Sequence, residues 1–185
     1  MRTNYLNSVT KEFRYYKGLA EKAMDQLNEQ DLFWQYNEES NSIAVIVNHL
    51  RGNMLSRWTD FLTSDGEKEW RQRDAEFEDI IDTPDELYRR WEEGWQCLFD
   101  ALAMVNEDNF EQKIYIRNQE HTIIEAVNRQ LAHYANHVGQ IVYIARMIKG
   151  KDWKSLTVPK GGSKAFNESK FAKGKHSGHF SDDLK

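Results

Sequence analysis

This chain is short of the features that lock small folds covalently or seat them in membranes. Its 185 residues hold one cysteine, Cys97, which excludes an internal disulfide framework and any cysteine-rich zinc or iron–sulfur site. Prolines number two, and both lie outside long periodic segments or at their starts, which favours helices. No long uncharged apolar run occurs and mean hydropathy is −0.81, so a membrane span is excluded. Residues 1–16 contain no apolar stretch of the kind that marks secretion, and a cytoplasmic location is expected. Aromatic residues, by contrast, are plentiful at 12%, which argues against wholesale disorder. One domain with a real core is the expectation at this length.

Basic charge is scarce in the body and concentrated at the end. Residues 149–185 carry nine lysines against four acids, an excess of +5, so residues 1–148 carry −10 of the formal −5 total. An acidic body lacks the clustered basic face that phosphate neutralisation requires, so no nucleic-acid partner is expected. The tail has Gly, Ser and Lys without a periodic apolar face and reads as a solvated extension.

What is present is helical periodicity. Leu6, Val9, Phe13, Tyr16, Ala20, Ala23 and Leu27 recur at three- and four-residue steps, predicting a helix from about Asn4 to Asn28. A second, capped by Asn41 or Ser42, carries Ile43, Val47, Leu50, Met54, Trp58 and Phe61 on one stripe. Thr83, Pro84 and Glu86 supply a cap, a first-turn proline and a capping-box acid for a third, along which Leu87, Trp91, Trp95, Leu98 and Leu102 align. Thr122 and Glu125 open a fourth that stops at Gly150. Residues 113–117 are β-prone and read as a short extended stretch. The expected fold is all-α, a four-helix bundle over residues 1–150, with a basic, partly ordered C-terminal extension over 151–185. The fourth helix is apolar on nearly all sides, so it is expected to be central or to meet a second copy of the chain.

His133 and His137 stand four apart in the fourth helix and project from one face. Neutral imidazoles so placed can share a metal ion, and an interior hydrogen-bonded pair is the competing reading. Tyr134 stands where a zinc protease has its glutamate, so no built-in general base follows the first histidine. His49, in the second helix, is the candidate third ligand. Its face also carries Ser42, Asn53 and Ser56, uncharged polar residues that suggest shielding. Three histidines with an open fourth position is the pattern of a catalytic metal. Asn53 and Gln140 could orient a ligand or serve as interior hydrogen-bonders. Arg57 and Arg129 could receive a carboxylate, though solvent-facing salt bridges are the commoner use. His121 reads as a loop residue, Cys97 as a small core residue, and His176 and His179 as tail residues outside any site.

Asn48 through Met54, His121–Thr122, Asn128 through Ile141, and Val158 through Asn167 together resemble the DinB/YfiT-like superfamily. The nearest likeness is to a small bacterial branch without assigned function, and it spans residues 3–167. The resemblance implies a four-helix bundle in which His49, His133 and His137 hold a divalent metal: zinc, nickel, iron or manganese. It further implies a homodimer and a metal-dependent transferase using a low-molecular-weight thiol against a small electrophile, or a metal-assisted hydrolase. No catalytic acid or base is assigned by it. The alternative from another class is a non-catalytic dimeric binding or stress-associated protein whose histidine cluster is structural or vestigial.

Overall fold

Three helices start where their capping residues place them. The structure, a computed structural model, describes residues 2–78 and 80–183. The Ser42 hydroxyl accepts from the Val45 N–H at 3.1 Å and opens α2 (Ile43–Trp58), after α1 (Arg2–Met24). Thr83 accepts from the Glu86 N–H and opens α3 (Pro84–Ala103), with Pro84 in the first turn where it forfeits no bond. Thr122 and Glu125 form a reciprocal capping box at the head of α4 (Ile123–Lys149). A short α5 (Ser163–Ala172) lies in the C-terminal extension and buries none of its residues.

The molecule is mostly helical. α2 packs chiefly on α3 and α1 on α4, around one core in which Phe13, Leu50, Trp91, Trp95, Leu98 and Tyr134 are almost fully enclosed. The central helix is α2, not α4: every residue from Ile43 through Leu50 is buried. α4 keeps a solvent-facing strip that includes Ile124, Ala132, Gly139, Tyr143 and Met147. The same exposed surface also carries Glu125, Asn128, Arg129, Asn136 and Arg146, so it is mixed rather than apolar. None of the described helices is long and apolar enough to cross a membrane.

Two segments depart from simple helices. β1 (Lys113–Ile116) and β2 (Gln119–Thr122) form an antiparallel hairpin in which Ile114 and Ile116 face inward and Lys113 and Tyr115 outward. Arg117 and Asn118 both take positive φ (55° and 59°) at the two-residue turn, the geometry that matches the twist of the strands. Asp65 accepts from both their N–H groups at 2.8 Å, tying the hairpin to the connection after α2. Among its described residues, that connection (59–82) is irregular apart from a 3-10 turn at Asp74–Phe77, yet it buries Arg71 and Glu76.

Candidate metal centre

α2 and α4 run antiparallel and bring His49, His133 and His137 together. The Nε2 of His133 lies 3.3 Å from that of His49 and 3.1 Å from that of His137. Among the described residues this is the one group of three or more His, Cys, Asp or Glu side chains placed to hold a metal ion. Nitrogen ligands about 2.0–2.1 Å from a metal would stand about 2.8–3.4 Å apart in octahedral or tetrahedral geometry, and both spacings to His133 fit, with all three ligand atoms within 4.8 Å of one another.

The outer nitrogens explain how the rings are aimed. His49 Nδ1 lies 2.9 Å from Glu76 Oε2, and because a carboxylate only accepts, Nδ1 carries the proton. His137 Nδ1 lies 2.8 Å from Gln140 Oε1 and donates in the same way. Both Nε2 atoms are then lone-pair donors pointed at His133. A single N–H on His133 Nε2 can satisfy only one of them well, whereas a cation at their centre would satisfy all three. His133 Nδ1 is buried without a partner among the described residues.

Burial, reinforced by the neighbouring histidines and by Arg57 and Arg71, pulls His133 from its ordinary 6.5 to about 3. Burial lowers His137 too, opposed by its bond to Gln140. Both rings are thus held neutral, the state a metal ligand requires. Phe77 stacks over His49 with ring centroids 4.7 Å apart and covers that side of the cluster.

Behind His49 sits a buried ionic network. Glu76 takes two bonds from Arg71, Nε to Oε1 at 2.6 Å and Nη2 to Oε2 at 2.9 Å; against burial, the bond from His49 and then this guanidinium hold its carboxyl below the ordinary range. Glu67 links Arg71, Arg57 and Arg117. Space for the carboxyl comes from Gly52, one turn after His49: a Cβ there would overlap Glu76.

The remaining candidates separate clearly. Gln140 touches a ligand-position histidine. Asn53 does not; it is buried and accepts from the Tyr134 hydroxyl, which itself accepts from Trp58 Nε1 at 3.0 Å. Arg57 is not the solvent-facing side chain expected of it. It is buried, bonded to the Gly66 carbonyl and to Glu67, because the 59–82 connection folds over it. Arg129 is exposed, and His121 lies half-buried on β2, outside the cluster. Cys97 is half-buried, with Sγ 3.7 Å from the Thr59 hydroxyl, and burial pushes its thiol pKa up, as suits a core residue.

A cavity of 1120 Å³ lies away from the clustered histidines. It lies between α1 and the C-terminal extension, and His176 and His179 line it. His179 packs there by its own contacts, Nδ1 with the Ser181 hydroxyl at 2.7 Å.

The three histidines and Gln140 stand out in the sequence, and Glu76 and Arg71 do not. The one available signal was Gly52, since a glycine inside a helix costs about 1 kcal/mol against alanine and calls for a packing reason.

No curated protein and no solved structure matches the chain. Residues 1–162 match the family described as "Protein of unknown function (DUF1572)", and the chain belongs to that family.

Proposed function

We propose that this DUF1572 member is a metalloprotein built as a DinB/YfiT-like four-helix bundle, with His49, His133 and His137 holding one divalent ion. The observation that carries this reading is the convergence of three Nε2 atoms, two of them made lone-pair donors by Glu76 and Gln140. When bound, the ion would supply a Lewis-acid centre that favours thiolate over thiol at neutral pH. The residues around it hold and orient: Glu76 fixes the His49 ring, Gln140 the His137 ring, and Phe77 shields one side from water.

This supports a thiol-dependent transferase over a hydrolase. A metal-assisted hydrolase is helped by a general base beside its water, and both oxygens of Glu76, the carboxylate bonded to the cluster, are committed to Arg71 and His49. A homodimer belongs to the same proposal, since the apolar Ile124 and small Ala132 and Gly139 leave outer α4 accessible to a second copy.

Native mass spectrometry of tag-free protein tests both parts. Two chains carrying two metal ions are expected, and His133→Ala should lose the metal and keep the dimer. Protein that stays metal-free after incubation with zinc, nickel, iron and manganese would leave the non-catalytic reading standing. Gly52→Ala probes the support behind His49. It should weaken zinc binding about 10–100-fold by displacing the Glu76 carboxyl, and cost about 3–5 kcal/mol of stability because the same displacement disturbs the buried pair with Arg71. Competition against a zinc chelator reads the first quantity and urea unfolding the second. Wild-type zinc affinity in this variant would mean that His49 needs no carboxylate behind it.

A further inference from the structure

One turn from the histidines along both helices, a groove of 580 Å³ opens between the start of α2 and the end of α4. Its size falls within the range of small-molecule pockets, about 300–1,000 Å³. Ile46 lies three residues before His49 and Gln140 three after His137, so the groove and the cluster share a wall about 5 Å long. The outer wall is the segment before α2, where Trp34 and Tyr36 meet edge to face at 6.4 Å.

No residue lining the groove is charged, in a chain where 30% of residues are. Yet Tyr36, Tyr143 and Met147 stand 72%, 66% and 42% exposed around it. Burying an ionised ligand against such a surface would leave its charge without a partner. A flat aromatic ring, by contrast, would gain edge and face contacts from the tryptophan and tyrosines and a sulfur contact from Met147. At the inner end, the Gln140 carbonyl is taken by His137, leaving its amide NH₂ to donate to an acceptor on the ligand.

We propose that this groove binds an uncharged aromatic molecule, ring among Trp34, Tyr36, Tyr143 and Met147, with its polar or reacting end directed past Gln140 to the histidines. The ring site stands on the groove alone; the direction of the polar end rests on the metal reading above.

Three probes separate the two parts in the full chain: 2-naphthohydroxamic acid (ring and chelator), acetohydroxamic acid (chelator alone) and 2-naphthamide (ring alone). On zinc-loaded protein the first should bind at least about tenfold tighter than the second, a gain of the size that ring burial supplies. Tyr143→Glu, at an exposed position, should erase that gain and leave acetohydroxamate unaffected. Tyr115→Glu, an exposed tyrosine on the hairpin, should change nothing. Naphthamide should still bind His133→Ala. A ring that adds no affinity, or a gain insensitive to Tyr143→Glu, overturns the groove. If naphthamide binds and responds to Tyr143→Glu while zinc and acetohydroxamate do not bind, the metal reading fails and the aromatic site stands.

Discussion

Arg71→Ala is expected to lower stability by about 3–5 kcal/mol, the usual cost of removing one partner from a buried ion pair. The Arg71 side chain is 1% exposed and that of Glu76 8%, so water cannot replace the lost guanidinium. Glu76 would keep the His49 N–H as its single side-chain donor and either stay ionised at high cost or take up a proton. The loss should therefore exceed that of a double change, Arg71→Met with Glu76→Gln, which removes both charges and keeps similar volumes. Urea unfolding at neutral pH distinguishes these outcomes. Equal losses in the single and double variants would show that the network contributes shape rather than charge compensation. Zinc affinity should fall in both variants, because neither retains a carboxylate held rigidly against His49.

The parts of this centre differ in how far the sequence discloses them, and the reason is periodicity. His49, His133 and His137 sit on helices whose stripes and caps fix which side chains share a face, so their convergence follows from spacing once two helices are packed. Ser42, Asn53 and Ser56 are buried as their uncharged polarity on the His49 face implied. Glu76 and Arg71 belong to an irregular connection, where no repeat relates position to direction, and only Gly52 hints that something must approach α2. The second strand was equally hidden, because its turn opens on Arg117, where positive φ is uncommon, and lacks the Asn-Gly or Asp-Gly pair that marks a hairpin. α1 stops at Met24, short of the expected Asn28, although Leu27 still packs on the core. α5 left no signal because a helix that buries nothing needs no apolar stripe. The likeness noted for Val158 through Asn167 runs past the matched family segment, which ends at residue 162. The helices thus bring the histidines together, and the loop holds them rigid.

Zinc is expected to stabilise the folded chain strongly near neutral pH and progressively less on acidification, with the effect lost in His133→Ala. A ligand that binds only the folded chain adds about 4 kcal/mol when its free concentration is a thousandfold above Kd. For a chain of this size that corresponds to a rise in Tm of roughly 8–16 °C. The metal-free protein should weaken as pH falls. His133 titrates near 3 when folded against 6.5 as its ordinary value, so between those limits the unfolded chain binds the additional proton and unfolding is favoured. Below about 3 the folded ring is protonated too and this contribution stops changing. Glu76 acts in the same direction, since its lowered carboxyl pKa contributes stability that disappears on acidification. Metal resists both effects until protons displace it from the imidazoles, so zinc-loaded and metal-free melting curves should converge toward the acid end. Thermal unfolding from pH 7 to pH 4, with and without zinc, measures this. His133→Ala should show no zinc-dependent rise at any pH and a shallower acid slope than the metal-free wild type. A zinc-dependent rise that survives in the variant would place the ion elsewhere. An unchanged acid slope would mean that His133 is solvated enough to keep an ordinary pKa, and that its neutral state is not built into the fold.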